Sequence, residues 1–363
     1  MKDFRQIQRP LLLPLTIFYW LGVTIRNLLF DLRILRSVSF RIPIISIGNI
    51  TVGGTGKTPH VEMLVRMLKG DYRIAVLSRG YKRKSQGFIM ASRHSLVSDI
   101  GDEPMQIKNK FPEIFVAVDN HRVHGVNKLV KSKHPPGVVI LDDAFQHRYI
   151  RPGLSIVLVD YNRPVFHDFL LPAGNLREPW KNIRRAHMVI VTKCPENLFP
   201  QEIAWFTQKL GLDPAQDLFF TSYAYGSPEA VFPLKKRNKD IPTFKQLRKS
   251  HAGMMLVSGI ANPQPVLQFL QKIVKVHGSL FFPDHHEFTN LDIHHISVRF
   301  HSIPGNEKYI MVTEKDAVKI RELEMDEQLK KVFLYLPVEV QFLARGENTF
   351  NKRINKYIRR SLL

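Results

Sequence analysis

The sequence predicts an α/β protein built on a mostly parallel sheet with helices on both faces, followed by a smaller second α/β domain and preceded by an apolar N-terminal helix. Three observations predict it. An apolar run at residues 44–47 passes through a glycine-rich turn into a stretch with Val61, Leu64, Val65 and Leu68 at helical spacing. From Phe40 onward short β-branched runs alternate with helix patterns, as parallel strands joined by crossover helices require. Residues 11–23 are almost unbroken apolar and aromatic, with Lys2, Arg5 and Arg9 before them and Arg26, Arg33 and Arg36 after.

The turn after the first strand is the most informative stretch. Thr51, Val52, Gly53, Gly54, Thr55, Gly56, Lys57 and Thr58 form a phosphate-binding loop. Its glycines let successive N–H groups point inward, Lys57 can reach the β- and γ-phosphates, and the Thr58 hydroxyl is placed to ligate Mg²⁺. The following helix adds its positive N-terminal end. The sheet is therefore expected to be of the P-loop NTPase type, with nucleotide phosphates at this loop. Thr51 stands where the common pattern has glycine, a variant shared with partition-type ATPases. Those proteins carry a signature Lys where this chain has Val52, which disfavours a membrane-associated regulatory ATPase as the alternative.

Strands are expected at residues 42–47, 73–77, 114–118, 138–141, 154–159 and 188–192, then at 254–257, 280–282, 309–312 and 332–336. The expected division is an N-terminal membrane-associated region at 1–36, a P-loop domain at 37–225, a linker, possibly a β-ribbon, at 226–250, and the second domain at 251–363. The linker assignment rests on Gly226, Pro228, Pro233 and the basic run Lys235, Lys236, Arg237 and Lys239.

The N-terminal stretch has about 16 uncharged residues between Arg9 and Arg26, short of the ~18–20 that a spanning helix needs, so a helix lying in the headgroup layer is expected. The chain has 53 basic and 32 acidic residues, formally +21, which calls for an anionic partner. No nucleic-acid recognition motif is present, so nucleic acid is not the expected one. A single cysteine, Cys194, excludes an intramolecular disulfide.

Further chemistry gathers at strand ends. The run Val138-Val139-Ile140-Leu141 stops at Asp142 and Asp143, as a Walker B element does to aim carboxylate oxygens at Mg²⁺. Asp102 and Glu103 sit in a Gly-Asp-Glu-Pro turn before a helix pattern, where they either cap the helix or supply a base and a metal-side carboxylate. Pro283-Asp284-His285-His286-Glu287 ends a strand of the second domain, without the Cys or regular His spacing of a zinc site.

Taken in order, the P-loop, Leu77-Ser78-Arg79-Gly80-Tyr81, Gly101-Asp102-Glu103-Pro104, Leu141-Asp142-Asp143-Ala144-Phe145-Gln146-His147, Pro172-Ala173-Gly174-Asn175-Leu176-Arg177-Glu178-Pro179, Phe282-Pro283-Asp284-His285-His286 and Thr313-Glu314-Lys315-Asp316-Ala317-Val318-Lys319 closely resemble the tetraacyldisaccharide 4′-kinases. Ala144 and Asn175 depart from the family pattern, which has Gly and Pro there. The resemblance implies transfer of the ATP γ-phosphate to the 4′-hydroxyl of an acylated glucosamine disaccharide 1-phosphate, at the cytoplasmic face of the bacterial inner membrane, in lipid A biosynthesis. It also implies Asp102 as base paired with His285. Lys57, Mg²⁺ on Thr58, Asp142 and Asp143, and Glu103 beside the metal would complete the phosphoryl-transfer site. Ser78, Arg79, Tyr81, Arg122, Gln146, His147 and Arg177, with Arg148, are the candidates for contacting the lipid substrate.

Overall fold

The computed structural model describes residues 4–232, 241–305 and 307–362, with side chains from residue 12 on. The strands are β1 (Ile44–Asn49), β2 (Ile74–Ser78), β3 (Ile89–Met90), β4 (Phe115–Val118), β5 (Val138–Asp142), β6 (Leu154–Asp160), β7 (Met188–Thr192), β8 (Asp217–Tyr225), β9 (Glu229–Ala230), β10 (Gly253–Ser258), β11 (Lys275–Phe281), β12 (Lys308–Thr313), β13 (Phe333–Leu336) and β14 (Val338–Phe342). They form a nine-stranded sheet in the order β14-β8-β7-β6-β1-β5-β2-β4-β3 and a five-stranded sheet in the order β11-β10-β12-β13-β9.

In the larger sheet β1 lies between β5 and β6, parallel to both and buried along its whole length. The continuous apolar runs of β2, β5, β6 and β7 follow from cover on both faces, the normal condition of a parallel sheet. Only the edge strands run against it: β3 is antiparallel to β4, and β14 to β8. The chain passes from β1 to β2 on one side and later crosses from β5 to β6 on the other side of β1, so the crevice beyond the C-terminal end of β1 is where such folds bind ligands.

The second sheet is parallel apart from β9, which pairs antiparallel with β13. Two expected boundaries need correction here. The segment expected as a linker at 226–250 is largely part of the second domain: β9 joins its sheet, Val231 is fully buried in its core, and the helix Phe244–Lys249 buries Leu247. The basic run Lys235–Lys239 lies outside the described residues.

The C-terminal domain also does not extend to 363. After β13 a single residue, Pro337, separates the chain from β14, which joins the larger sheet beside β8. The helix Gly346–Leu362 then buries Phe350, Ile354 and Ile358 in the core of the first domain. Its Tyr357 hydroxyl accepts from Ile44 N at 2.9 Å and donates to Ile44 O at 3.1 Å, at the entry of β1. The two crossings between the sheets run side by side, tied by Gly226 N donating to Pro337 O at 2.9 Å.

The N-terminal helix, Phe4–Asp31, leans on the first domain along one stripe only. Tyr19 donates to Arg177 O at 2.9 Å, Arg26 to Gln146 O at 2.9 Å, and Asn27 and Phe30 are buried. The opposite stripe exposes Leu13, Ile17, Phe18, Leu21, Ile25 and Leu28. Over Leu12–Asp31 the mean hydropathy is 1.4 and only 6% is buried, so the apolar face has no cover among the described residues.

Candidate active site

The P-loop runs from β1 into the helix Lys57–Leu68, with Gly56 at the helix N-cap in a left-handed conformation (φ 90°). A side chain is doubly excluded there, because a Cβ on Gly56 would sit 1.9 Å from the buried Tyr223 hydroxyl. The loop is braced from behind. Asn49 Nδ2 donates to Thr55 Oγ1 at 2.8 Å, Thr192 Oγ1 donates to Thr55 O at 2.9 Å, and Lys193 joins Gly54 O to Asp160, the latter at 2.7 Å. Val52 N donates to Asn175 O at 2.8 Å, and Thr51 bridges to Leu176. Asn175, one of the departures from the family pattern, also donates through Nδ2 to Asp168 at 3.1 Å and so steadies the turn that holds the P-loop. Asp160, Thr192, Lys193 and Tyr223 are not among the expected site residues. For Asp160, Thr192 and Lys193 the signal is a polar residue at the C-terminal end of β6 or β7, beside the strand that feeds the loop, whereas Tyr223 lies within β8 and has no such signal.

Asp142 ends β5 next to this loop, and Asp143 follows in a left-handed turn that directs it to different partners. Asp143, at φ 49°, lies 3.7 Å from Lys57 Nζ and 3.1 Å from Arg177 Nη1. Burial raises its pKa, but Lys57 and Arg177 outweigh that and hold it below the carboxylate range. Asp142 is 1% exposed and accepts from Ser78 Oγ at 3.0 Å, while its Oδ1 is buried without a hydrogen-bond partner. Burial, then the Glu103 and Asp143 charges, push its pKa up to about 7. Among the described residues no three His, Cys, Asp or Glu side chains are gathered closely enough to hold an ion alone.

The third group spans the two domains. Asp102 opens the helix Asp102–Lys110, and Gly101, at φ 91°, occupies its N-cap. No side chain caps this helix, so Asp102 is not the cap that its position in the turn allowed. Its Oδ1 accepts from Glu103 N at 3.0 Å, and its Oδ2 lies 2.8 Å from His285 Nδ1. Lys315 Nζ is 3.0 Å from His285 Nε2 and 3.7 Å from Asp102, and Lys319 Nζ is 3.6 Å from Asp102. An ammonium can only donate, so Nε2 accepts and the imidazole proton sits on Nδ1, directed at Asp102. Burial pushes the Asp102 pKa up, but the hydrogen bond from His285 and the charges of Lys315 and Lys319 hold it well below the usual range. Burial likewise opposes the Lys315 charge, and Asp102, Glu103 and Asp284 more than restore it. Both lysines stand in the motif at residues 313–319, on one face of a helix at a spacing of four, but neither carries an expected site role there.

The remaining expected residues divide by accessibility. Tyr81 is exposed, with its ring 5.1 Å from that of His285, and Arg79 is exposed on the same loop. Arg177 and half-buried His147 border the Asp143 side, and burial together with Arg122 and Arg79 lowers the His147 pKa to about 4. Gln146 donates to Asn49 O at 2.6 Å, tying β1 to the segment that holds the N-terminal helix. Two arginines are committed elsewhere. Arg122 is 2% exposed and donates to the carbonyls of Asp119 and Asp142, so it braces strand ends instead of presenting a free guanidinium. Arg148 binds Asp31 at 2.6 Å and Asn27 O at 2.9 Å and covers the Phe30 ring, clamping the N-terminal helix.

The family model for tetraacyldisaccharide-1-P 4′-kinase, LpxK, matches residues 8–359. Curated tetraacyldisaccharide 4′-kinases of Phocaeicola vulgatus and Bacteroides thetaiotaomicron are each 46% identical over 353 residues, spanning 96% of this chain and 95% and 93% of theirs. That of Flavobacterium johnsoniae is 41% identical over 354 residues, 98% of both chains. Among solved structures, LpxK of Aquifex aeolicus, crystallised in complex with ATP, matches with a TM-score of 0.74 at 29% identity over 96% of this chain and 99% of that one.

Proposed function

The chain belongs to the tetraacyldisaccharide-1-P 4′-kinase family, and from that premise we propose how its residues transfer the ATP γ-phosphate to the 4′-hydroxyl of a tetraacyldisaccharide 1-phosphate. The observation that carries the proposal is the Asp102–His285–Lys315 chain of contacts beside the P-loop domain. The P-loop amides and Lys57 hold the phosphates, and Asp102 receives the hydroxyl proton as the O–P bond forms. A carboxylate held below its ordinary range is a weak base, which suits a loose transition state in which the attacking hydroxyl loses its proton late. His285 keeps its Nδ1 proton in a hydrogen bond to Asp102 and fixes its orientation, and Lys315 sets the tautomer that makes this possible.

The residues at the end of β5 fit Mg²⁺. Asp142 keeps an orphaned buried oxygen and a raised pKa, both of which a cation would relieve. Asp142 and Thr58 would hold the ion, with Asp143 and Glu103 beside it. When bound, Mg²⁺ supplies neutralisation of charge on the transferring phosphoryl group. Arg177, His147, Arg79 and Tyr81 lie where the disaccharide would enter.

The uncovered apolar stripe of the N-terminal helix and the basic excess support seating at the cytoplasmic face of the inner membrane, where a lipid substrate is found. Incubation with ATP, Mg²⁺ and the tetraacyldisaccharide 1-phosphate should give a product heavier by one phosphate. Ile17→Ser together with Phe18→Ser should reduce partition to anionic vesicles without changing ATP binding. Unaltered partition would remove the membrane reading, and absence of the phosphorylated product would remove the reaction.

A further inference from the structure

Away from the reacting groups, one buried ion cluster joins three helices that carry the site. Glu62, 1% exposed, lies on the P-loop helix Lys57–Leu68. Gln106 and Lys110 lie on the helix Asp102–Lys110, and Glu314 opens the second-domain helix Glu314–Ile320, next to Lys315. Lys110 Nζ reaches Glu62 Oε2 at 2.6 Å and Glu314 Oε1 at 2.7 Å, and Gln106 Nε2 donates to Glu62 Oε1 at 2.7 Å. We propose that Lys110 is a positioning residue, whose twin ion pairs register the Asp102–His285–Lys315 group of both domains against the P-loop helix.

The geometry gives the Asp102 helix and the second-domain helix two points of contact. The Asp102 helix meets the second-domain helix at its first residue, through Lys315 and Lys319, and at its last, through Lys110 and Glu314. The second pair prevents the two helices from pivoting about the first. The tie to Glu62 extends the register to the helix that begins with Lys57, so base and phosphate site share one half-buried cation. Two carboxylates enclosed around a single ammonium depend on it strongly, because removing it leaves like charges facing each other out of water. Burial and the Glu314 charge already push Glu62 up to about 7 with Lys110 in place.

The inference rests on Asp102 as base, so Asp102→Ala is measured alongside. The test uses the full chain with ATP, Mg²⁺ and the lipid disaccharide. Lys110→Met should lower kcat about tenfold or more with the ATP KM within about twofold, and Lys110→Arg should restore most of kcat. Combined with Lys315→Met, Lys110→Met should add little to the larger single loss, because both act through one placement. If Lys110→Met does not fold, Glu314→Gln, which keeps an acceptor for Lys110, carries the same cycle with a loss of about three- to tenfold. Multiplicative losses with Lys315→Met, or a folded Lys110→Met enzyme with the parent's kcat, would overturn the positioning role alone. An Asp102→Ala enzyme with full kcat would remove the base assignment and this inference with it.

Discussion

Asp102 and Asp142 are both nearly sealed from solvent, at 5% and 1% exposure, yet their environments drive them in opposite directions. Asp102 meets an imidazole N–H and two ammonium groups, and its pKa falls despite burial. Asp142 meets one hydroxyl, keeps one oxygen unpartnered and faces the charges of Glu103 and Asp143, and its pKa climbs to about 7. Burial alone therefore says little about a carboxylate. The protein supplies the countercharge in one centre and leaves it to a ligand in the other, the pattern expected when one acid handles a proton and the other a cation.

The largest effect is expected on the cation side. Lys57→Ala removes the only lysine within 4 Å of Asp143 among the described residues and a charge aimed at the phosphates. Turnover should drop about 10³-fold with the melting temperature little changed. A variant retaining parental kcat would detach the P-loop from the chemistry.

Asp142→Asn sharpens the contrast through stability. A carboxyl whose pKa rises on folding keeps a proton that the unfolded chain has already released, so between about pH 4 and 7 it withdraws stability as pH climbs. The variant should lose activity yet melt several degrees above the parent at pH 8, with the difference closing toward pH 4, and Mg²⁺ with ATP should narrow it by stabilising only the parent. Equal melting at both pH values would contradict the raised pKa. Asp102→Asn should show the opposite sign, losing stability at pH 8, because its folded pKa is depressed and its contribution disappears only as pH falls through that low value.

Ser78→Ala is the smallest change. It removes the one hydrogen bond that Asp142 Oδ2 accepts and should cost about fivefold in kcat, with a higher Mg²⁺ requirement for half-maximal rate. An unchanged Mg²⁺ dependence would mean that Ser78 does not orient the carboxylate.

Much of this was legible in the sequence because it is local. The buried strands appear as apolar runs whose ends, Asn49, Ser78 and Asp142, deliver polar groups to one edge of the sheet. The strand β14 was harder. Its Val-Glu-Val-Gln-Phe alternation suits an edge strand with one wet face, but nothing within those five residues says which of two sheets it joins across Pro337. Arg122 misled for a related reason, since an arginine behind a strand reads the same whether its guanidinium meets a substrate or two backbone carbonyls. The Lys110 cluster was not legible at all, because Glu62, Lys110 and Glu314 are remote in sequence and a lone charge on a helix pattern carries no sign of its partner.

The most direct test of the division between the two centres is a double-mutant cycle on kcat at saturating ATP and lipid, with Asp102→Ala, His285→Ala and their combination. If the pair works as one proton-handling unit, each single change should cost about 10²-fold and the double variant should be little worse than the poorer single one. Losses that multiply, or a His285→Ala enzyme with parental kcat, would contradict it.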